Sequence, residues 1–256
     1  MSDIDKNAPP GTLIVTGAGR GIGAAVAKLA SARGYSVAVN YVRDGQSAES
    51  VVEEIATSGG RATTIQADIS REDEISRLFK TAERELGPLA GLVNNAGITG
   101  GFARVEAVTS ATLAQVFAVN VIGAMLCARE AVRRMSTRNG GKGGTIVNIS
   151  SRAAQIGGAG EWVHYAASKG ALDTFTLGLA REVAAEGIRV NAVAPGHVLT
   201  ELHAASGDPD RPARLAPTIP MGRAGSPEEI AEAVLWLLSP AASYTTGAIL
   251  AVSGGR

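Results

Sequence analysis

Short apolar runs alternate with longer helical patterns along the sequence from Thr12 onwards. The runs are largely apolar throughout, which is typical of parallel strands that are buried on both faces. Because a parallel strand reaches the next one through a crossover, usually a helix, the alternation predicts a doubly wound α/β sheet of about seven parallel strands with helices on both faces. The predicted strands are Thr12–Thr16, Ser36–Tyr41, Ala62–Gln66, Ala90–Asn94, Thr145–Ile149, Ile188–Val193 and Gly247–Val252. The predicted helices are Ile22–Arg33, about Ser47–Ser58, Glu72–Leu86, Ser110–Met135, about Val163–Ala185 and Pro227–Leu238.

The length of 256 residues and the hydrophobic content of 45% allow one large core. No internal repeat, interdomain linker or low-complexity tract interrupts the pattern, so the sequence predicts a single domain over residues 11–256. Residues 1–10 are polar, end in Pro-Pro and are expected to form a flexible leader. Residues 196–225 form a long, proline-containing stretch without clear periodicity, which is typical of a lid over a substrate site.

Charge and cysteine content narrow the partners that the chain can bind. Lysine and arginine number 24, as do aspartate and glutamate, and no basic stripe stands out, so nucleic acid is not an expected partner. The single cysteine, Cys127, excludes an internal disulfide and a multi-cysteine metal site, and three scattered histidines do not predict a metal centre.

No apolar stretch approaches the ~20 residues that span a bilayer, and no signal-peptide pattern is present, so a cytoplasmic protein without membrane contact is expected.

A glycine-rich turn joins the first predicted strand to the first predicted helix. It contains Gly17, Gly19, Gly21 and Gly23, with Arg20 and Ile22 between them. Glycines let the backbone approach a pyrophosphate closely, and the N-terminus of the following helix offers free N–H groups and a positive dipole end. The position of the turn therefore predicts a Rossmann-type dinucleotide site, although the spacing is Gly-x-x-x-Gly-x-Gly.

The end of the second predicted strand favours NADP(H) over NAD(H). An NAD site usually places a carboxylate there to bind the ribose 2′-hydroxyl. This sequence instead has Asn40, Tyr41 and Arg43. The first carboxylate, Asp44, lies beyond the strand. Arg20 and Arg43 are placed to bind a 2′-phosphate, for which guanidinium groups are well suited. The alternative is that both arginines are solvated surface residues.

Further motifs follow the later predicted strands. In chain order they are Asn94-Asn95-Ala96-Gly97 after the fourth strand, Ser150-Ser151 after the fifth, and Tyr165-Ala166-Ala167-Ser168-Lys169 on the next helix. Together with the glycine-rich turn, Asn120 and Pro195-Gly196, this ordered set resembles the short-chain dehydrogenase/reductase family. The resemblance covers nearly the whole chain and implies a single Rossmann-type domain.

The spacing of Tyr165 and Lys169 indicates proton transfer independently of the resemblance. Residues four apart share one helix face. A free tyrosine has a pKa of about 10 and a nearby ammonium favours the phenolate, so Lys169 is expected to lower the pKa of Tyr165. Tyr165 would then exchange a proton with a carbonyl or alcohol while hydride moves to or from the nicotinamide. A serine hydroxyl would polarise the substrate oxygen. The resemblance assigns this role to Ser151, and Ser150 remains the alternative.

The resemblance also implies roles for residues around this pair. Asn120 would hold a water molecule that links Lys169 to solvent, and Lys169 would hydrogen-bond the nicotinamide ribose. Asp68, followed by Ile69, would lie beside the adenine, the alternative being a turn or cap residue. The residues expected at the adenosine ribose and pyrophosphate are Asn94, Ala96 and Gly97. Those expected at the nicotinamide carboxamide are Pro195, Gly196, Val198 and Thr200.

Together these features predict an NADP(H)-dependent oxidoreductase that acts on a small-molecule carbonyl or secondary alcohol. Similar proteins include NAD-dependent sugar (glucose-type) dehydrogenases and 3-oxoacyl-carrier-protein reductases, and both remain alternatives. A non-catalytic NADP sensor is disfavoured because such proteins usually lose the tyrosine or the lysine, and both are present here. The resemblance also implies a homotetramer, with the two long helices Ser110–Met135 and Val163–Ala185 at its interfaces.

Overall fold

The computed structural model of the protein describes residues 11–200, 208 and 210–256. The predicted leader, residues 1–10, and His203 in the predicted lid lie outside the described residues. The described strands are β1 (Thr12–Val15), β2 (Ser36–Tyr41), β3 (Arg61–Gln66), β4 (Leu89–Asn94), β5 (Gly144–Ile149), β6 (Ile188–Pro195) and β7 (Ile249–Val252). They form one parallel sheet in the order β3-β2-β1-β4-β5-β6-β7. This topology confirms the predicted doubly wound α/β sheet.

Both faces of the central strands are apolar because both faces are covered. In β1, Leu13 and Val15 pack into one core cluster, whereas Ile14 packs into the other. In β2, Val39 joins the first cluster and Ala38 the second. Successive side chains point to opposite faces of a strand. A strand that is buried on both sides therefore needs an unbroken apolar run, which is the pattern that the sequence shows.

Helices cover both faces of the sheet. The described α-helices are α1 (Gly21–Ala32), α2 (Gly45–Thr57), α3 (Glu72–Leu86), α4 (Ser110–Phe117), α5 (Ala124–Met135), α6 (Ala153–Ile156), α7 (Val163–Val183), α8 (Arg211–Leu215) and α9 (Pro227–Leu238). Val26 of α1, Ile55 of α2 and Val234 of α9 pack on one face. Phe79 of α3 and Cys127 of α5 pack on the other. Burial raises the pKa of the Cys127 thiol to about 12, so Cys127 acts as a small core hydrophobe.

The predicted long helix over Ser110–Met135 changes its winding at its centre. α4 runs into a π-helical segment, Ala118–Gly123, which runs into α5. π-helical turns inside α-helices frequently occur at functional sites. Asn120, one of the predicted site residues, lies in this segment and is almost completely buried.

The same stretch corrects the expectation that no apolar segment is long enough to span a bilayer. Ser110–Met135 has 26 residues and contains an 18-residue window of mean hydropathy 1.8, which satisfies the length and composition of a membrane helix. Core helices of soluble proteins pass the same test, and 39% of this window is buried. Single polar residues such as Asn120 interrupt the apolar run, so the sequence does not show it as one continuous stretch.

Several element boundaries differ slightly from the sequence prediction. β6 runs to Pro195 rather than to Val193, and β7 begins at Ile249 rather than at Gly247. The predicted lid, residues 196–225, contains α8 and a 3₁₀ turn, Ala216–Thr218, among its described residues. This part of the lid is therefore helical, and α8 brings Arg211 towards the site described below.

Candidate functional site

The carboxyl ends of the central strands border one large cavity. Its volume is about 1340 Å³, which exceeds the ~300–1,000 Å³ of a typical small-molecule site. In open parallel sheets, ligands bind beyond the carboxyl ends of the strands, at the point where the strand order reverses. Here the order reverses between β1 and β4. The cavity therefore lies where the topology places a nucleotide site.

The glycine-rich turn forms one wall of this cavity through Gly17, Gly19 and Gly21. Gly17 and Gly21 have φ angles of 62° and 55°, in the left-handed region that favours glycine. A Cβ on Gly17 would lie 3.0 Å from the Cα of Ala96, so the turn packs directly against the loop after β4. α1 starts after Arg20 without a side-chain cap from any described residue. Its first N–H groups therefore remain available, and this fits a pyrophosphate.

A set of hydrogen bonds braces the turn against the loop after β4. Thr16 Oγ1 accepts from the main-chain N–H groups of Asn95 and Ala96, each at 3.0 Å. Asn95 Nδ2 donates to the main-chain oxygens of Thr16 at 2.9 Å and of Gly17 at 3.0 Å. These bonds fix two walls of the cavity relative to each other. The bracing role of Asn95 is not predicted from the sequence, because it depends on β1 and β4 being neighbours.

At the carboxyl end of β2, the cavity is lined by Arg20, Tyr41, Arg43 and Asp44. Asp44 caps α2, since its Oδ1 accepts from Ser47 N at 3.0 Å and its Oδ2 accepts from the Ser47 hydroxyl at 2.6 Å. These hydrogen bonds lower the pKa of the Asp44 carboxyl, and the charge of Arg20 acts in the same direction. Both carboxylate oxygens are thus engaged in the helix cap.

Asn40 and Asn94, both predicted to contact the cofactor, are buried behind the cavity wall instead. Asn40 Oδ1 accepts from Gly17 N at 3.2 Å, and its Nδ2 donates to Ala67 O at 2.9 Å. Asn94 Nδ2 donates to the side-chain oxygen of Asn148 at 3.0 Å. A buried amide needs such partners within the protein. Asn40 therefore supports the glycine-rich turn from behind, and Asn94 joins β4 to β5.

Gly23 and Asn120 also lie outside the lining of the cavity. Gly23 is buried within α1. Asn120 Nδ2 donates to Ile98 O at 2.8 Å and to Ser168 Oγ at 3.0 Å, while its Oδ1 accepts from Ile98 N at 2.9 Å. Both N–H groups of the Asn120 amide therefore donate hydrogen bonds within the protein. The expected water link to Lys169 would therefore have to start from an oxygen atom of Asn120.

The other predicted cofactor residues line the cavity, namely Ile22, Asp68, Ile69, Ala96, Gly97, Pro195, Gly196, Val198 and Thr200. Asp68 also stabilises a turn, because its Oδ1 accepts from Ser70 N at 2.9 Å and from the Ser70 hydroxyl at 2.7 Å. The two roles considered for Asp68, in the turn and beside a ligand, are therefore compatible.

Ser151, Tyr165 and Lys169 meet where β5 ends beside α7. The Ser151 side chain lies close enough to that of Tyr165 to hydrogen-bond it, and this interaction lowers the pKa of Tyr165. Lys169 Nζ lies 5.8 Å from the centroid of the Tyr165 ring and donates to Ile149 O at 2.7 Å. Ser150 is buried, and its hydroxyl lies 3.5 Å from the main-chain oxygen of Lys169. The structure thus places Ser151, rather than Ser150, against Tyr165.

Burial dominates the acid–base properties of Tyr165 and Lys169. It raises the pKa of Tyr165 to about 12, and the hydrogen bond from Ser151 offsets only part of this rise. Burial also lowers the pKa of Lys169 to about 8, while the charge of Asp173 acts in the opposite direction. The expected lowering of the Tyr165 pKa by Lys169 is therefore not met, because removing a phenolate from water is the larger effect. Tyr165 is a neutral phenol at pH 7.

Beyond Tyr165 lies an aromatic and charged cluster that the sequence analysis does not predict. Phe102 and Trp162 stack with their ring centroids 4.8 Å apart, and the rings of Trp162 and Tyr165 are 5.5 Å apart. Arg211 of α8 lies against both Phe102 and Trp162, and its Nη1 donates to Glu161 Oε1 at 2.8 Å. Arg211 and Glu161 are 50 residues apart in the chain, so no local motif reveals the pair.

The histidines are placed apart from one another. His164 is buried, with its Nε2 2.8 Å from the main-chain oxygen of Thr99. His197 lines the cavity and contacts the guanidinium of Arg256 through Nε2. Within residues 11–200, 208 and 210–256, no group of three or more histidine, cysteine, aspartate or glutamate side chains is arranged to hold a metal ion.

Comparisons with known proteins give matches along nearly the whole chain. A family model described as Enoyl-(Acyl carrier protein) reductase matches residues 17–256. The uncharacterized oxidoreductase YgfF of Escherichia coli (strain K12) is 50% identical, over 95% of this chain and 98% of its own. Glucose 1-dehydrogenase 2 of Bacillus subtilis (strain 168) is 39% identical, over 95% of this chain and 93% of its own.

One similar solved structure is that of the angucycline C-6 ketoreductase LanV with bound NADP. It matches with a TM-score of 0.88 and 33% sequence identity, covering 97% of this chain and 96% of the other. The cavity of the present protein is lined by residues from Gly17 to Arg256. The similarity therefore extends over the segments that line the cavity.

Proposed function

Because the chain belongs to the short-chain dehydrogenase/reductase family, we propose that this oxidoreductase transfers hydride between NADP(H) and a small-molecule carbonyl or secondary alcohol. The observation that carries the proposal is the contact between Ser151 and Tyr165, beside Lys169. These three side chains line the same cavity as the glycine-rich turn with its uncapped helix end. A phosphate-binding element and a proton donor therefore face one space.

The side chains of this wall can move a proton to a substrate oxygen. Tyr165, whose pKa is raised to about 12, is a phenol at neutral pH and can donate its proton to a carbonyl oxygen. Ser151 can donate a hydrogen bond to the same oxygen and hold it beside Tyr165. Lys169 provides positive charge, which favours the phenolate that remains after the transfer. A nicotinamide, when bound, supplies the hydride.

Charges at the end of β2 support NADP(H) over NAD(H). Arg20 and Arg43 line the cavity, and the neighbouring Asp44 carboxylate is engaged as the cap of α2. Guanidinium groups bind phosphate oxygens well, often through two hydrogen bonds. The structure of LanV contains NADP, which supports the same choice for this protein.

A sugar dehydrogenase is the second candidate function. The identity of 39% with Glucose 1-dehydrogenase 2 supports it. Reduction of a 3-oxoacyl thioester is a further alternative, since the chain is 38% identical to the 3-oxoacyl-[acyl-carrier-protein] reductase of Synechocystis sp.. Both alternatives use the same proton-transfer residues, so they differ from the main proposal only in the molecule that reaches Tyr165.

The proposal is tested with a substrate panel read out by the absorbance of NADPH. The panel contains ketones, aldehydes and 3-oxoacyl thioesters with NADPH, and glucose with NADP⁺ or NAD⁺. For the best substrate, Tyr165→Phe is expected to lower kcat by at least ~10²-fold, because it removes the proton donor. The ring remains, so NADPH binding is expected to be retained. Tyr244→Phe is the matched control, since Tyr244 is fully exposed.

One result would contradict the role of Tyr165, and another would contradict the proposed function as a whole. Full turnover in Tyr165→Phe would remove Tyr165 from the proton-transfer step. A folded protein that binds neither NADPH nor NADH in a fluorescence titration would overturn the proposed function as a whole.

A further inference from the structure

Among the described side chains at the substrate end of the cavity, positive charges outnumber negative ones. Among the described lining residues beyond Tyr165, Arg152, Arg211 and Arg256 carry guanidinium groups and Glu161 carries the carboxylate. None of these four residues takes part in the proton transfer or in the nucleotide contacts proposed above. Hydride and proton transfer to a simple carbonyl therefore do not explain why a cationic cluster lies here.

Arg211 is a buried cation that two aromatic rings hold in place. Its guanidinium carbon lies 5.1 Å from the ring centroid of Phe102 and 4.8 Å from that of Trp162, and the two rings are themselves 4.8 Å apart. These nearly equal distances place the guanidinium beside both rings and not between them. Arg211 is only 3% exposed. Cation–π attraction and burial therefore fix the direction in which its N–H groups point.

Glu161 neutralises part of this charge. Arg211 Nη1 donates to Glu161 Oε1 at 2.8 Å, and Arg211 Nη2 contacts Oε2. Arg211 Nε is buried without an acceptor among the described residues. The hydrogen bond from Arg211 lowers the pKa of the Glu161 carboxyl, and the charges of Arg211, His197 and Arg256 act in the same direction. Several cationic or basic groups thus surround one carboxylate.

Arg256 brings a second guanidinium to the same end of the cavity. Arg152 Nε donates to the main-chain oxygen of Arg256 at 2.6 Å, and the Ser253 hydroxyl donates to the same oxygen at 2.9 Å. These two bonds fix the main chain of Arg256, while its guanidinium contacts His197. Arg152 therefore supports the position of Arg256, and Arg211 and Arg256 are the cations that face the substrate space.

We propose that the substrate carries an anionic group, such as a carboxylate, which Arg211 and Arg256 bind while its carbonyl lies at Tyr165. This inference rests on the proposed function, which places the carbonyl there. Glu161 pairs with Arg211. The described lining beyond Tyr165 therefore offers no second carboxylate side chain for the charges of Arg152 and Arg256, and a substrate anion interacts favourably with them. The Trp162 ring contacts both Arg211 and Tyr165.

A purely structural role for the cluster makes a different prediction. Arg211 and Glu161 join α8 to the segment before α7, and such a clamp would position the lid for every substrate. Loss of the clamp would then lower the turnover of charged and uncharged substrates by the same factor. Loss of an anion site lowers the turnover of the charged substrate more.

The test uses carbonyl substrates that differ only in charge, with NADPH as the reductant. The pairs are para-formylbenzoate with its methyl ester, and levulinate with methyl levulinate. Further arms with para-formylbenzenesulfonate and para-formylphenyl phosphate distinguish the kinds of anion. At low ionic strength, kcat/KM for the better acid is expected to exceed that for its ester at least tenfold, or about 1.4 kcal/mol. Added salt should reduce this advantage, because it screens the charges.

Variants assign the preference to the two arginines. Arg256→Gln and Arg211→Gln are each expected to lower the acid-to-ester ratio of kcat/KM at least fivefold. If Arg211→Gln does not fold, Arg256→Gln decides the test. Arg84→Gln is the matched control, because Arg84 has a 70% exposed side chain paired with Glu85 on α3, outside the cavity lining. Its ratio should equal that of the wild type.

Three other outcomes would contradict the anion site, its assignment to the two arginines, or the proposed function. Equal kcat/KM for acid and ester in the wild type would overturn the anion site and leave the proposed function intact. An acid-to-ester ratio that is unchanged in both Arg256→Gln and Arg211→Gln would overturn the assignment and favour the structural clamp. Absence of both cofactor binding and turnover with every carbonyl in the panel would instead overturn the proposed function.

Discussion

Replacement of Gly23 by alanine tests how the glycine-rich turn is held in place. Gly23 lies in the first turn of α1, close to the hydrogen bonds between Asn95 and the glycine-rich turn. A Cβ at this position would lie 2.5 Å from Asn95 Nδ2, 2.5 Å from Gly17 O and 2.9 Å from Ala18 Cα. Two of these atoms belong to the main chain. The third belongs to an amide that already donates two hydrogen bonds, so it cannot turn away without losing them.

The structure sets the size of the expected effect. Overpacking of a well-filled site costs about 1–3 kcal/mol, and each hydrogen bond of Asn95 that is lost costs about 1 kcal/mol more. Alanine is favoured over glycine inside a helix by about 0.5–1 kcal/mol, which offsets only part of this cost. Gly23→Ala is therefore expected to lower the free energy of unfolding by about 2–4 kcal/mol. For a chain of this size, that corresponds to a melting temperature about 5–12 °C lower.

Thermal and urea denaturation measure the loss, and a fluorescence titration with NADPH measures its effect on the turn. NADPH binding should weaken, because the displaced Gly17 lines the cavity. Gly178→Ala is the matched control in α7, since none of the described atoms lies within 4 Å of its added Cβ. It should stabilise the protein slightly, by about 0.5–1 kcal/mol. A melting temperature of Gly23→Ala within about 1 °C of the wild type would refute the steric reasoning.

Three further predictions concern the cofactor, the buried lysine and the assembly. Arg43→Gln should weaken NADPH binding at least tenfold, or about 1.4 kcal/mol, and leave NADH binding unchanged; equal losses for both cofactors would exclude a contact with the 2′-phosphate. Burial lowers the pKa of Lys169 in the folded protein from 10.5 to about 8. Between these two pH values, Lys169 is protonated in the unfolded chain but not in the folded one, so the free energy of unfolding should rise with pH. Urea midpoints should show this rise in the wild type relative to Lys169→Met, and parallel pH profiles would contradict it. Ile122 is 52% exposed on the apolar stretch Ser110–Met135, which is expected to lie at an interface of the homotetramer. Because Ile122→Glu places a charge there, light scattering should show a lower molar mass for the variant than for the wild type. A monomeric wild type would refute that assembly.

The fold is largely predictable from the sequence because the signals are local. The apolar runs around Leu13 and Val39 are continuous since both faces of the sheet are covered, and this pattern is readable residue by residue. The expectation that no apolar segment is long enough to span a membrane is the exception. The stretch Ser110–Met135 has the composition of a membrane helix although polar residues interrupt it.

The candidate site is only partly predictable. The glycine-rich turn and the four-residue spacing of Tyr165 and Lys169 are local patterns, and the structure brings them to one cavity. Asn94 belongs to an equally recognisable motif and Asn40 ends the apolar run of β2, yet both side chains are buried behind the wall. A motif states which residue is present, whereas the packing of neighbouring strands decides which way its side chain points.

The sequence by itself determines the sheet, the glycine-rich turn and the helix face that holds Tyr165 with Lys169, because each depends on residues close together in the chain. Tertiary structure alone decides the acid–base state of Tyr165, since burial raises its pKa to about 12. It alone also brings Arg211 to Glu161 across 50 residues. Solvation and long-range pairing depend on the whole packed chain, and no local pattern in the sequence shows them.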